Sequence, residues 1–232
     1  MFNDEITLVL DVETANDTID ALVYDVGGRF IDSFGKVYDE FNYVIREIFV
    51  YEKELMASAY YAEKIPEYRD DIQHLRRQTI DFLIARRNIL AMMAKHNCHT
   101  IAAYNCAFDR NALNTTLRFL TKSKMRWFFP FNTNFICIWN SACNSICQTS
   151  DYKTFAETSR FYSNNGKNYR ATAETVYAFL TNNPDFQEEH KGLDDVKIEV
   201  EILLKCAEMG TVMGVNRGCW QKVKRGMLMP LD

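Results

Sequence analysis

Ile6-Thr7-Leu8-Val9-Leu10-Asp11-Val12-Glu13-Thr14 is a short apolar run closed by two acids two residues apart. Aliphatic and β-branched residues dominate it, and neither glycine nor proline interrupts it, so residues 6–12 read as a buried strand. Side chains of a strand repeat every two residues, which sends Asp11 and Glu13 out on the same side. Two acids converging on one point repel each other unless a cation sits between them. Hard divalent cations are the ones that take oxygen ligands. Alone the triplet proves little, because a strand running into a polar loop has the same letters.

Outward from that strand, residues 21–26 form a second apolar stretch and residues 29–38 alternate apolar with polar. Gly27-Gly28 between them supplies the backbone freedom of a tight hairpin turn. The expectation is an antiparallel meander whose first strand is 6–12. Residues 40–63 read as mostly helical, stopped by Pro66, and residues 71–95 read as one long helix. In that helix Ile72, Leu75, Phe82, Leu83, Ile89, Leu90 and Met93 mark a buried stripe. Strands follow at 100–104 and 134–139, with helices at 110–120, 171–180 and 194–209, the last stopped by Gly210. Three meander strands followed by alternating helices and strands imply a mixed α/β sheet with helices on both faces. Sites in such sheets form at strand ends near the point where the winding reverses. No repeat or composition break divides the chain. Residues 1–210 are expected as one domain, with a basic tail, 211–232, packed on it or extending from it.

The chain has 232 residues and a net charge of −4, so nucleic-acid binding could not rest on overall charge and would need local cations or metal ions. No run approaches the ~20 apolar residues of a membrane span. Met1-Phe2-Asn3-Asp4-Glu5 is acidic, which does not suit a secretory signal. Seven cysteines, an odd number, scattered through apolar segments, predict reduced thiols and a cytoplasmic location. Cys143-x-x-x-Cys147 and His96-Asn97-Cys98-His99 lack the paired spacing of tetrahedral zinc sites, so these thiols are expected in the core.

Two further segments give the opening acids company. In Ala103-Tyr104-Asn105-Cys106-Ala107-Phe108-Asp109 a strand runs into a loop and Asp109 opens a helix. In His190-Lys191-Gly192-Leu193-Asp194-Asp195 acids begin the last long helix. Each acid taken singly could be a helix N-cap. Together, Asp11-Val12-Glu13-Thr14, Asn105-x-x-Phe108-Asp109 and His190-x-Gly192-x-x-Asp195 resemble the three motifs of the DEDD (DnaQ-like) 3′–5′ exonucleases, and more narrowly their histidine-bearing branch. The resemblance spans residues 6–207.

It implies the ribonuclease H-like fold, a three-strand antiparallel meander plus parallel strands flanked by helices. It also implies two divalent ions, Mg²⁺ or Mn²⁺, on Asp11, Glu13, Asp109 and Asp195, with Asp11 between them and His190 as general base. Thr14, Asn105 and Phe108 would lie close to the terminal nucleotide. The implied reaction is hydrolysis of single-stranded 3′ ends to 5′-mononucleotides. DNA is slightly favoured as substrate, an exoribonuclease or oligoribonuclease being the alternative, and a polymerase or replication or repair complex is the implied class of protein partner. A catalytically silent nucleic-acid-binding protein of the same fold is the competing reading, although none of the four acids is missing.

Where many relatives carry Asp-Thr on the strand after the second motif, this chain has Cys137-Ile138, which bears on packing. Residues 40–63 are longer and more aromatic than the usual connection, which suits a surface particular to this protein. Residues 122–131, with Trp127 among cations and rings, have a composition suited to stacking on single strands. The tail at 217–225 adds Lys222, Lys224 and Arg225. Gly192 is expected to let the loop swing His190 into place.

Overall fold

The structure, a computed structural model, describes residues 5–16, 20–122, 124, 127–212, 214 and 223. Its centre is β1, Thr7–Ala15, which runs three residues past the expected end and carries Asp11 and Glu13 within the strand. On one side β1 pairs antiparallel with β2, Leu22–Ile31, with Asp11 opposite Gly27 and Glu13 opposite Asp25. β2 pairs antiparallel with β3, Val37–Ile45, completing the meander. On the other side β1 pairs parallel with β5, Thr100–Ala103, but only over Thr7 to Val9. Beyond Val9 that flank of β1 opens into a cleft, at the point where antiparallel pairing changes to parallel.

β4, Gln78–Ile80, and β6, Asn134–Cys137, extend the edges by parallel pairing. The six-stranded order is β4-β3-β2-β1-β5-β6, the ribonuclease H-like mixed sheet that was expected. Eight helices flank it among the described residues: α1 Lys53–Ala57, α2 Ile65–Gln73, α3 Phe82–Lys95, α4 Cys106–Thr121, α5 Ile138–Asn144, α6 Ser150–Thr158, α7 Ala173–Leu180 and α8 Gly192–Glu208.

Alternation along β1 decides what each face holds. Leu8, Leu10 and Val12 enter one core with Phe82, Ile89, Leu113 and Leu117 of α3 and α4. Val9 enters the other with Ile138, Val196, Val200 and Leu203 of α5 and α8. Asp11 and Glu13 share the parity of Val9, so the strand turns both acids toward α8.

Five expectations about local structure are corrected. Gly27 and Gly28 lie inside β2, and the hairpin turn lies at Asp32 to Lys36, where the Asp32 carboxylate accepts the Phe34 and Lys36 N–H groups at 2.9 and 3.0 Å. A Cβ on Gly27 would lie 2.1 Å from the Leu193 nitrogen, so that glycine admits the start of α8 against the sheet. Within residues 40–63, β3 claims the first part, because Phe41, Val44 and Ile45 bury against the sheet, and only short helical turns follow. Pro66 opens α2 rather than stopping a helix, since the first turn needs no N–H from it. The long helix expected over 71–95 is broken: α2 ends at Gln73, Leu75 has a φ of +57° and is 91% exposed, and β4 intervenes before α3. The strand expected to reach Trp139 stops at Cys137, whose sulfur accepts the Asn140 N–H at the start of α5.

The six described cysteines are buried thiols and none forms a disulfide. Among the described residues no helix is long and apolar enough to cross a membrane. Most of the tail lies outside the described residues. Gly214 bridges to Ile136, and Val223 is buried in the α8-side core.

Candidate active site

Three elements deliver the acids to one place. β1 presents Asp11 and Glu13. Asp109 is the fourth residue of α4 and Asp195 the fourth of α8, while Asn105 and Lys191 stand at the cap positions. Neither aspartate is an N-cap, which removes the simplest structural account of each. Asp109 is 4% exposed, Asp195 7% and Glu13 8%, depths at which carboxylates are found only when something compensates them. Among the described residues none of these acids, nor Asp11, has a Lys, Arg or His⁺ salt-bridge partner within 4 Å; Asp195 Oδ1 has no hydrogen-bond partner at all.

Ligand atoms of Glu13, His190 and Asp195 lie within 4.8 Å of one another. Asp11 and Asp109 line the same open cavity, of about 1090 Å³. Burial, followed by the charges of Glu199, Asp109, Glu13 and Asp195, pushes the Asp11 carboxyl well above its usual range. Glu13 rises for the same reasons, burial first and Asp195 next. Burial lifts Asp109 and Asp195 to about 7. Without a cation beside them Asp109 and Asp195 hold protons near neutrality; a divalent cation would invert that preference.

His190 stands at the rim with a φ of +51°. Its ring stacks on Tyr61, with centroids 3.9 Å apart and planes at 13°, and its Nδ1 lies 3.9 Å from Glu188 Oε2. Burial lowers its pKa, leaving a neutral imidazole at pH 7. The following loop is pinned from below. Gly192 N–H donates to Asp25 Oδ2 at 3.0 Å, and the same oxygen accepts from Tyr68 Oη at 2.7 Å and Arg77 Nη1 at 2.8 Å. Lys191 Nζ reaches Glu67 at 3.1 Å and Asp71 at 3.3 Å. A Cβ on Gly192 would lie 2.8 Å from the Gly27 nitrogen, so this glycine serves close packing where a hinge was expected.

Of the expected substrate residues, Asn105 and Phe108 line the cavity; Thr14 is not among its lining residues. Trp127 is elsewhere. It is 58% exposed and borders a separate cavity of about 230 Å³ with Arg110, Asn114 and Phe131. The stretch around it divides, because Phe128 and Phe129 are buried in the core while Phe131 stands exposed. Ser123, Met125 and Arg126 lie outside the described residues, as do Lys222, Lys224 and Arg225.

The structure adds residues that the motifs did not point to. Glu199, one helical turn beyond Asp195, is 2% exposed. Glu188 and Glu174 converge with His190 to within 4.8 Å, and burial followed by Asp195 and Glu174 pushes Glu188 up to about 8. Tyr60 and Tyr61 wall the cavity. Glu199 carried a signal in the sequence, since it interrupts an apolar helix stripe, and so did Asp25 beneath the His190 loop, which interrupts an apolar strand.

No protein-family model and no curated protein matches the chain. Solved structures share its fold. Cell-death related nuclease 4 aligns with a TM-score of 0.54 and 13% identity, over 89% of this chain and 65% of that one. Exonuclease I of E. coli in complex with a 5cy-dT13 oligonucleotide aligns with a TM-score of 0.54 and 10% identity, over 90% of this chain and 41% of that one. The chain thus spans less than two thirds of each, and at these identities the likeness is one of fold.

Proposed function

We propose that this protein is a metal-dependent 3′–5′ exonuclease that trims single-stranded nucleic-acid ends to 5′-mononucleotides. The observation that carries the reading is the convergence of Asp11, Glu13, Asp109 and Asp195 on a cleft edged by His190, with no protein cation beside them among the described residues and an unpartnered buried oxygen on Asp195. Buried carboxylates without counter-charge are costly in a folded protein. Hard oxygen donors of this kind fit Mg²⁺ or Mn²⁺, and the four acids are the residues that would hold two such ions. Held by these acids, two divalent ions would lower the pKa of a water molecule so that it could be deprotonated for attack on a phosphodiester, and would stabilise the charge on the departing 3′ oxygen.

The protein's own groups do the rest. Neutral His190 accepts the proton of the attacking water, with Glu188 beside Nδ1 to orient the ring and Tyr61 to hold its plane. Asn105 and Phe108 contact the terminal nucleotide, and the exposed ring of Tyr60 offers a face on which an unstacked base can lie. A net charge of −4 is ill matched to the many phosphate contacts that hold a duplex, which favours a single strand. DNA is the slightly favoured substrate and RNA the alternative. Buried thiols suit a reducing compartment such as the cytoplasm.

The test is release of nucleotide from 3′-labelled and 5′-labelled single strands of DNA and of RNA, with Mg²⁺ or Mn²⁺ against chelator. Stepwise shortening from the 3′ end with metal only is the expected result. No cleavage of either polymer with either metal would leave a silent binding protein as the better reading, and shortening from the 5′ end would overturn the polarity.

A further inference from the structure

The geometry points to Glu199 as a fifth carboxylate of the site, an oxygen ligand for the divalent ion held by Asp11 and Asp109. This rests on the metal-dependent reading above and specifies it. Asp195 and Glu199 are four residues apart on α8 and therefore share one helical face. That face meets β1, and both side chains line the cavity with Asp11 and Asp109. Their surroundings differ. Asp195 converges with Glu13 and His190. For Glu199 the foremost neighbouring charge is Asp109, and Glu199 is itself the foremost charge acting on Asp11.

Glu199 is 2% exposed, deeper than Asp109, Asp195 or Glu13. Its Oε2 is buried and has no hydrogen-bond partner in the described structure. An acid kept only for packing would have its second oxygen satisfied, or would be a leucine like its neighbours on α8. A carboxylate that donates as a neutral acid would show an acceptor at Oε2, and among the described residues none is there. The remaining role for a buried oxygen aimed into a cluster of carboxylates is to face a cation. With Asp11 and Asp109 alone, that ion would have two protein carboxylates; Glu199 makes three and raises its affinity.

The experiment uses the full chain stripped with chelator and titrated with Mn²⁺, free Mn²⁺ being followed by its electron paramagnetic resonance signal. Wild-type protein is expected to bind two Mn²⁺. Glu199→Gln, which keeps the shape, should bind one of them at least about tenfold more weakly and leave the other unchanged, while the chelated variant melts no lower than wild type. Glu199→Leu, suited to the buried position, should give the same loss and serves if the glutamine variant does not fold. Two Mn²⁺ bound with unaltered constants by either folded variant overturns the role of Glu199 and leaves the metal reading intact. A wild-type chain that binds no Mn²⁺ overturns both.

Discussion

Two groups of buried carboxylates meet at the start of α8, and they are provided for differently. Below the loop that carries His190, Asp25 gives one oxygen to Tyr68, Arg77 and Gly192, and Asp71 is shared between Arg77 and Lys191. Asp25 is wholly buried and its other oxygen is bare, yet a guanidinium stands against it. Burial raises its carboxyl, and Arg77 and the hydrogen bonds pull it back. Above the loop, Asp11, Glu13, Asp109, Asp195 and Glu199 have no protein cation among the described residues; burial raises each of them, and neighbouring acids of the group raise Asp11, Glu13 and Glu199 further. The lower group fixes the backbone on which His190 and Asp195 stand. The upper group gains nothing from being buried together unless charge arrives from solution. Structure and function thus divide along the presence or absence of an internal cation.

The sharpest way to break that comparison is to neutralise one acid in each group. Asp11→Asn or Asp109→Asn should lower nuclease turnover by about a thousandfold or more, since each removes an ion ligand. The chelated variants should melt at the wild-type temperature or above it, because a repulsion has been relieved. Turnover near wild type would remove these acids from the chemistry. His190→Ala should cost about 10²–10⁴ in kcat with little change in Mn²⁺ binding, the usual worth of a general base. An unchanged kcat at pH 7 would leave the ring a structural part of the Tyr61 stack.

In the lower group the expected loss is of stability. Arg77→Met strips Asp25 of its cation and should destabilise the chelated protein by about 3–5 kcal/mol, as broken buried pairs do. Denaturant unfolding measures it, and a loss under about 1 kcal/mol would show that Asp25 is held by Tyr68 and Gly192 alone. The smallest effect concerns Trp127, which borders its own cavity away from the acids. Trp127→Ala should leave KM for a trinucleotide unchanged and raise it for long strands by no more than the roughly 1–3 kcal/mol of one stacked base. A large change with the trinucleotide would bring this ring to the active site.

How much of this could be read from the letters follows the same division. Four acids of the upper group, with His190, were legible because they fall in three motifs that resemble those of a known family, and Asp11, Glu13, Asp109, His190 and Asp195 all line one cleft; Glu199 lies in none of the three motifs. The meander and the later strands near 100–104 and 134–137 were legible from apolar runs, although the third meander strand, expected at 29–38, lies at Val37–Ile45. Gly27 was misread because a glycine that admits a helix and a glycine that makes a turn are the same letter, and only the packing of Leu193 distinguishes them. The break between α2 and α3 was hidden because Ile72, Leu75 and Phe82 fall at helical spacings by coincidence. Arg77 and Asp25 pair across 52 positions, a distance over which no local pattern operates.

Thermal melting at pH 5 and pH 8, in chelator and in saturating Mn²⁺, tests the central claim most directly. Burial lifts Asp109 and Asp195 to about 7 and Glu188 to about 8, while the unfolded chain releases these protons near pH 4. A carboxyl raised on folding contributes its full share below the unfolded value and loses it as the pH climbs toward the folded one. The chelated protein should therefore melt lower at pH 8 than at pH 5. Mn²⁺ at about a hundred times its dissociation constant should add about 2.7 kcal/mol at pH 8, raising the melting temperature by about 5 °C or more, and should do far less at pH 5, where protons compete for the same oxygens. A chelated protein equally stable at both pH values, with no response to Mn²⁺ at pH 8, would contradict the account.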